Sequence, residues 1–262
     1  MTEMTEAVLR TCGVRIDPVT MDQAVTTILS AARDGRPLAT HLVNAYTLSL
    51  AVRDARFAEL LDRGDLNLPD GMPLVWLGRR AGLTHLTSRV YGPDLMGHVL
   101  DRGRAHGLRH YLYGATPEVV ERLAADVRAR YPEVELVGAE SPPFRALTAD
   151  EEADLVARVA ASGAQAVWVG LGTPKQDVFV DRFRDRLGIP VLAVGAAFDF
   201  LSGTKRMAPR WMQERGLEWL YRLVSEPRRL WKRYLVGNTM FLWGALRSTR
   251  VERRIRPGSD EG

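Results

Sequence analysis

Short apolar runs alternate with longer segments of helical periodicity along most of this chain. Apolar runs that are partly β-branched are typical of strands buried on both faces. The predicted strands cover residues 38–44, 66–68, 109–113, 134–139, 166–169 and 191–194. Before them, residues 8–19 are predicted to form a short strand followed by a turn. Strands that alternate with helices of about 10–15 residues indicate βαβ units. The pattern therefore predicts an α/β fold, with a Rossmann-like, mostly parallel sheet flanked by helices.

The predicted helices have recognisable first residues. Thr20 is placed to cap a helix over residues 21–33, and Gln23 completes a capping box. Thr148 is the corresponding cap of a helix that ends near residue 161. The remaining helices of this part are predicted over residues 45–61, 72–81, 94–105, 118–130 and 176–187.

The next-to-last predicted strand runs into a glycine-rich turn and a helix start. Gly170 and Gly172 permit a sharp turn and a close approach of the backbone to a ligand. Thr173 is a favourable N-cap, and Pro174 suits the first helical position. We expect an anion-binding corner here, with Gln176 on the first helical turn. An ordinary crossover that binds no ligand is the alternative.

The composition bears on the compartment and on membrane insertion. The single cysteine, Cys12, precludes an internal disulfide, fits a reducing compartment and is expected to be buried. The first residues carry Glu3 and Glu6 and no long apolar run, so no signal peptide is predicted. No uninterrupted apolar run approaches the ~20 residues that a membrane-spanning helix needs.

Positive charge is concentrated in the last fifth of the chain. The formal net charge is +4, yet residues 205–256 contain fourteen Lys or Arg and four Glu, a net charge of +10. The same segment holds four of the six tryptophans, and its apolar residues have helical spacing. A basic, aromatic and amphipathic tail indicates an anionic partner, which is a membrane surface, a phosphate ligand or a nucleic acid.

Several familiar motifs are missing from the sequence. The glycine-rich turn has Lys175 where an NAD fingerprint needs its third Gly, and no phosphate loop of the Walker type occurs. No Cys/His cluster has zinc spacing. We interpret His106 and His110 as solvated or structural residues.

Polar residues at strand ends are the candidates for chemistry, because side chains there face the ligand crevice of such a sheet. Asp70 lies between Pro69 and Gly71 at one strand end, although Asp at this position also caps helices. Asn44 ends another strand and can bind a base, a sugar or a hydroxyl group, or simply form a turn.

Two further candidates lie elsewhere in the chain. Arg89 belongs to a predicted loop, where it can bind an anion or be solvated. Asp199 is expected at the end of the last strand, where it can accept hydrogen bonds from a ribose or a base, or cap a turn.

Five motifs occur together in a familiar order and spacing. They are Leu68-Pro-Asp-Gly-Met72, Gly170-Leu-Gly-Thr-Pro-Lys-Gln176, Ala197-Phe-Asp-Phe-Leu-Ser-Gly203, Arg206-Met-Ala-Pro209 and Gly216-Leu-Glu-Trp-Leu-Tyr-Arg222. In this combination the chain resembles the WecG/TagA/CpsF glycosyltransferase family, from about residue 12 to residue 234.

The resemblance implies a metal-independent, inverting transferase. Members of the family move a sugar, often N-acetylmannosamine, from a UDP-sugar to a polyprenyl-diphosphate-linked sugar, as in cell-wall teichoic acid and other polysaccharide synthesis. The expected protein is therefore cytoplasmic and peripheral on the inner face of the membrane, where it meets anionic lipid. No cofactor and no nucleic acid partner are expected, and homo-oligomerisation is left open.

The resemblance also assigns roles to residues. Asp70 matches the proposed general base, and Asn44, Arg89 and Gln176 match other polar active-site positions. Asp199 matches an acidic position near the nucleotide. The remaining expected substrate-binding residues are Gly172 in the turn and the tail residues Arg222, Arg229, Lys232 and Arg233.

The sequence departs from the family pattern at three positions. Leu42 and Thr173 stand where Thr and Ala are common, and Asp177 stands where Glu is common. The change at Leu42 bears on sugar specificity more than on the type of reaction.

The predicted organisation is a catalytic domain over residues 1–204, a helical basic tail over residues 205–256 and a disordered terminus over residues 257–262. The tail is expected to associate with membrane and to complete the active site. A non-catalytic nucleotide-sugar-binding module of a membrane-associated complex is the main alternative function. A nucleic-acid-binding protein is a weaker one, because no binding-fold signature accompanies the basic tail.

Overall fold

The computed structural model describes residues 4–256, except for the side chains of residues 4–6, 229, 233 and 254–256. The terminus predicted to be disordered, residues 257–262, lies outside the described residues. The strands are β1 (Met4–Thr11), β2 (Val14–Ile16), β3 (Leu38–Val43), β4 (Leu66–Pro69), β5 (Arg109–Gly114), β6 (Glu135–Glu140), β7 (Ala166–Gly170), β8 (Pro190–Ala193) and β9 (Arg250–Arg256).

Helices connect and cover these strands. The helices of the first half are α1 (Met21–Arg33), α2 (Ala45–Arg53), α3 (Ala55–Asp62), α4 (Met72–Arg80) and α5 (Gly92–Gly103), followed by a 3₁₀ turn at Arg104–His106. The later helices are α6 (Pro117–Arg130), α7 (Ala149–Ser162), α8 (Lys175–Leu187), α9 (Ala197–Leu201), α10 (Arg210–Glu214), α11 (Glu218–Ser225) and α12 (Pro227–Ser248).

The main sheet confirms the predicted α/β class. Its six strands lie in the order β4-β3-β8-β7-β5-β6, and every neighbouring pair is parallel. All six strands therefore end at the same edge. The predicted capping box of α1 is also present. The Thr20 hydroxyl oxygen accepts from the backbone N–H of Gln23, and the Gln23 side-chain oxygen accepts from the backbone N–H of Thr20.

Alternation along the strands supplies a core on each face of the sheet. Leu112, Trp168 and Leu192 are buried against apolar residues of α1, α5 and α6. Tyr113 and Val169, the next residues along, point to the opposite face and are buried against α7 and α8. Strands covered by helices on both faces explain why their sequences are continuous apolar runs.

A second, smaller sheet corrects two predictions. Residues 8–19 are not one strand but the hairpin of β1 and β2, and β1 also pairs antiparallel with β9. The tail predicted as helical therefore ends in a strand. Beneath this sheet, Phe241 and Ala245 of α12 enter the core that α2, α3 and α4 form, in which Cys12 is buried as predicted.

Two predicted helices are interrupted. The helix predicted over residues 45–61 breaks at Asp54, whose carboxylate caps α3. The tail predicted as helical over residues 205–256 is broken at Gly216, between α10 and α11, where φ is 69°. A Cβ atom at Gly216 would lie 2.8 Å from the ring of Trp76, so this turn also needs the close approach that only glycine permits.

Within residues 4–256, none of the helices combines the length and the apolar composition that a crossing of the bilayer requires.

Candidate active site

The strand ends of the main sheet border a large cleft. Its volume is ≈ 1400 Å³, and residues that follow β3, β4, β7 and β8 line its floor. Helices α11 and α12 form a second wall, and the loop of residues 141–147 forms part of the rim. Phe144 in that loop is 84% exposed, which leaves an aromatic face accessible beside the cleft.

Asp70 lies on the floor of the cleft and does not cap the next helix. The N-cap of α4 is Gly71, and it has no side-chain hydrogen bond. The backbone N–H of Asp70 donates to the carbonyl oxygen of Val43 at 2.8 Å, which continues the pairing of β4 with β3. Its Oδ2 atom accepts from Nδ2 of Asn44 at 3.3 Å, whereas the buried Oδ1 atom has no hydrogen-bond partner among the described residues.

The surroundings of Asp70 raise its pKa from 3.8 to about 6. Burial of the carboxylate is the largest cause, and the nearby charge of Glu218 acts in the same direction. The positive charge of Arg89, the hydrogen bond from Asn44 and the nearby backbone N–H of Gly92 lower the pKa in part. A carboxylate of this pKa is ionised at neutral pH and still basic enough to accept a proton.

Asn44 has two roles at the end of β3. Its Oδ1 atom caps α2 by accepting from the backbone N–H groups of Tyr46 and Thr47, at 3.1 and 3.2 Å. Its Nδ2 atom meanwhile faces Asp70. The turn-forming interpretation and the polar-site interpretation thus both describe this residue.

Arg89 is held by the tail instead of being solvated. Its Nη1 atom donates to Oε2 of Glu218 at 2.7 Å, and its Nη2 atom donates to Oε1 of Gln213 at 3.0 Å. The guanidinium group also lies 4.0 Å from the ring centroid of Tyr91, a cation–π contact. Arg89 therefore joins the loop after α4 to helices α10 and α11.

The glycine-rich turn after β7 differs from its prediction at the cap. The N-cap of α8 is Pro174, not Thr173, and it has no side-chain cap bond. Gln176 secures the turn instead, since its Oε1 atom accepts from the backbone N–H of Gly172 at 3.0 Å. Gln176 is 4% exposed, and Gly172, with φ of 75°, needs glycine. The turn is thus preorganised by its own side chain.

Asp199 lies in the short helix α9 and not at the end of a strand. The sequence after β8 turns first, so Asp199 is on the first turn of α9. Its Oδ2 atom accepts from Nζ of Lys205 at 2.7 Å. Both residues line the cleft, where the carboxylate of Asp199 and the ammonium group of Lys205 form an ion pair.

The tail residues predicted to bind substrate divide into three groups. Arg222 lines the cleft, with Nη1 at 4.0 Å from Oε1 of Glu218 and its guanidinium group 5.5 Å from the ring centroid of Phe200. Lys232 is exposed on α12, beside the ring of Trp231, and is not among the residues that line the cleft. Arg229 and Arg233 belong to α12, but their side chains lie outside the described part of the structure.

Sequence reasoning missed two residues that organise this region. Glu218 belongs to a quoted motif, but its contacts with Arg89 and Tyr91 span more than a hundred residues of sequence. His41 is fully buried, and its Nδ1 atom lies 3.0 Å from Oδ1 of Asp177, which ties the first turn of α8 to β3. The only sequence signal for this pair is the occurrence of ionisable residues in otherwise apolar segments.

The described residues contain no group of three or more His, Cys, Asp and Glu side chains placed to hold a metal ion. The two histidines that we interpreted as structural or solvated behave accordingly. His110 is buried and accepts a hydrogen bond from Nε1 of Trp168 at 3.2 Å, and burial lowers its pKa to about 4. His106 is exposed.

A parallel sheet with a large cleft outside its strand ends defines an α/β protein of the Rossmann-like class, in which ligands generally bind at that edge. A sequence model described as the glycosyl transferase WecG/TagA/CpsF family matches residues 9–255. The chain therefore belongs to this glycosyltransferase family, as the five motifs predicted.

Proposed function

We propose that this protein is an inverting glycosyltransferase that moves a sugar, N-acetylmannosamine or a related hexose, from a UDP-sugar to a polyprenyl-diphosphate-linked sugar. The observation that carries the proposal is the Oδ1 atom of Asp70, which is buried at the floor of the cleft without a hydrogen-bond partner among the described residues. An enclosed, unpaired carboxylate oxygen is ready to accept a proton from an acceptor hydroxyl group.

In this mechanism Asp70 is the general base. The acceptor oxygen attacks the anomeric carbon from the face opposite the diphosphate, and its proton passes to Oδ1 of Asp70. The new carbon–oxygen bond forms as the bond to the diphosphate oxygen breaks, and UDP leaves with the electron pair. Inversion follows from the single displacement at the anomeric carbon.

The leaving diphosphate needs positive charge, and the cleft supplies it. Planar guanidinium groups suit diphosphate because they donate two parallel hydrogen bonds. Preorganised charge of this kind stabilises a developing anion without reorganisation during the reaction. The basic residues that line the cleft are Arg80, Arg89, Arg145, Lys175, Arg182, Lys205 and Arg222.

The tail supports a peripheral membrane location at the inner face of the membrane. Helix α12 places Leu230, Tyr234 and Phe241 against the body of the protein, where they are buried. Its other face exposes apolar side chains at helical spacing, among basic ones, which is typical of helices that lie in the membrane interface. The exposed apolar residues of α12 are Trp231, Leu235, Val236, Leu242, Trp243 and Leu246.

A donor screen tests the proposal. The protein is incubated with UDP-sugars and a short-chain lipid-diphosphate acceptor, with and without EDTA, and product is measured by mass spectrometry. We expect transfer that survives EDTA and falls by ~10²–10⁴ in Asp70→Asn. Asp94→Asn, at an exposed position on α5, is the matched control and should keep full activity. Full turnover by Asp70→Asn would remove Asp70 from the mechanism.

The alternative is a non-catalytic nucleotide-sugar-binding module. Its prediction is tight binding of a UDP-sugar by calorimetry with no release of UDP at any acceptor concentration. Binding without turnover across the full donor and acceptor screen would favour this alternative over the transferase.

A further inference from the structure

Three side chains of the cleft converge on the carboxylate of Glu218. Oε2 accepts from Nη1 of Arg89 at 2.7 Å, and Oε1 accepts from the hydroxyl group of Tyr91 at 3.4 Å. Arg222 approaches Oε1 to 4.0 Å. The side chains of Arg89 and Glu218 are each only 12% exposed, so water screens their attraction much less than that of a surface pair.

The same pair lies next to the floor of the cleft. Arg89 interacts electrostatically with two carboxylates, Glu218 and Asp70. Gln213 and the ring of Tyr91 hold the guanidinium group from other sides. Because Glu218 is the first residue of α11, the orientation of Arg89 depends on where the tail helix docks.

We propose that Glu218 is a positioning residue of the transfer site, which fixes Arg89 on the tail side of the cleft and so links the docking of α11 to Asp70. The inference rests on the proposed function in one respect, that Asp70 is the base. Glu218 itself need not touch substrate, since it acts through the position and the charge of its neighbours.

The electrostatic consequence has a definite sign. The charge of Glu218 raises the pKa of Asp70, and the charge of Arg89 lowers it. Docking of α11 places Glu218 in the cleft, where its negative charge makes Asp70 a stronger base and its carboxylate bonds to the opposing Arg89. Removal of the Glu218 charge eliminates one of the two causes that raise the pKa of Asp70 and leaves only burial to oppose Arg89, so we expect this pKa to fall. The other groups that face these three side chains are Asn44, Tyr91, Gly92, Gln213 and Arg222.

The test compares Glu218→Gln with Glu214→Gln, which removes an exposed carboxylate from the same tail. The carboxyl carbon of Asp70 is titrated by NMR in the full chain, and its signal is assigned by its loss in Asp70→Asn. We expect the titration midpoint in Glu218→Gln to fall by about one pH unit, the usual scale for a neighbouring charge. Glu214→Gln should keep the wild-type midpoint.

A second variant keeps the test decisive if Glu218→Gln does not fold. Glu218→Asp preserves the charge but shortens the reach to Arg89, so the titration midpoint of Asp70 should lie between those of wild type and Glu218→Gln. If Glu218→Gln cannot be measured, the midpoint in Glu218→Asp should still lie below that of wild type. Midpoints equal to wild type in every folded variant would overturn the inference and leave Glu218 a purely structural contact.

The measurement separates this inference from the proposed function. NMR titration needs no turnover, so a lowered midpoint in a protein that transfers no sugar would uphold the role of Glu218 and contradict the transferase. Where transfer is observed, the acid limb of the kcat/KM profile should move to lower pH in Glu218→Gln by the same amount as the NMR midpoint.

Discussion

Nδ2 of Asn44 donates a hydrogen bond to Oδ2 of Asp70 across 3.3 Å, which joins the ends of two neighbouring parallel strands. A hydrogen bond to the ionised form of a carboxyl group favours that form. The strand ends thus contribute directly to the charge state of the proposed base, and they do so in the opposite direction to Glu218.

Asn44→Ser isolates this hydrogen bond. Serine is as good an N-cap as asparagine, so the start of α2 should be retained, but the donor to Asp70 is lost. We expect the pKa of Asp70 to rise above its value of about 6. The acid limb of the kcat/KM profile against pH should move upward accordingly. A limb that stays in place, with the variant normally folded, would show that the Asn44 bond does not affect the base.

Asp70→Asn is expected to raise the free energy of unfolding at neutral pH. The pKa of Asp70 lies above its ordinary value in the folded protein, so the folded state binds the proton more tightly than the unfolded chain does. Stability contributed by the protonated group is full below pH 3.8 and is lost as the pH rises through about 6. Asparagine cannot ionise, so the variant does not lose this stability as the pH rises.

The gain from Asp70→Asn should be on the order of 1–3 kcal/mol at pH 7.5 and should shrink toward pH 4. Urea unfolding at several pH values measures it, with Asp94→Asn as the control for loss of an exposed carboxylate. A variant less stable than wild type at pH 7.5 would contradict the raised pKa.

Gln176→Met is expected to weaken donor binding. Methionine has similar length but cannot accept the bond from the N–H of Gly172, which then remains unpaired in the turn. This hydrogen bond is only part-buried, and such a bond contributes about 0.5–1.5 kcal/mol, so we expect the dissociation constant of a UDP-sugar to rise by roughly 2- to 10-fold.

Gln165→Met is the matched control for Gln176→Met. Gln165 also accepts a bond from a backbone N–H, that of Arg109, but it lies before β7 and does not line the cleft. Calorimetry should show unchanged donor affinity for this control. Equal affinities of the two variants would mean that the turn does not contact the donor.

The exposed face of α12 is expected to bind anionic membrane. Leu235, Val236 and Trp243 are 66%, 45% and 50% exposed and do not line the cleft, so their replacement by serine should leave both the core and the cleft intact. Sedimentation with vesicles that contain anionic lipid should show weaker binding by the triple variant, while transfer to a soluble acceptor continues. Vesicles of neutral lipid alone are the control. Unchanged vesicle binding would assign membrane attachment to another surface.

The alternation of strands and helices was predictable because a sheet covered on both faces imposes apolar runs, which are visible without any long-range information. The capping box at Thr20 was predictable for the same reason, since its hydrogen bonds are local. Asp70 and Asn44 were predicted at strand ends, and they lie together in the cleft because the strand ends of such a sheet meet at one edge.

Three of the features that sequence reasoning missed depend on distant contacts. Strand β9 has basic residues typical of a surface segment, and only β1 gives it a partner. The break at Gly216 reflects the proximity of Trp76, and the role of Glu218 depends on Arg89. None of these partners is close in sequence, so periodicity and capping rules carry no information about them.

The pairing of β1 with β9 has a consequence for biosynthesis. Arg10 and Glu252, which bond at 2.8 Å across this sheet, are 242 positions apart. A ribosome therefore releases β1 long before its partner exists, and the nascent chain carries an unpaired strand edge until the tail emerges. Such edges attract other chains. Because α12 follows every strand of the main sheet in the chain, the cleft wall that α12 forms can assemble only after the whole main sheet has been translated.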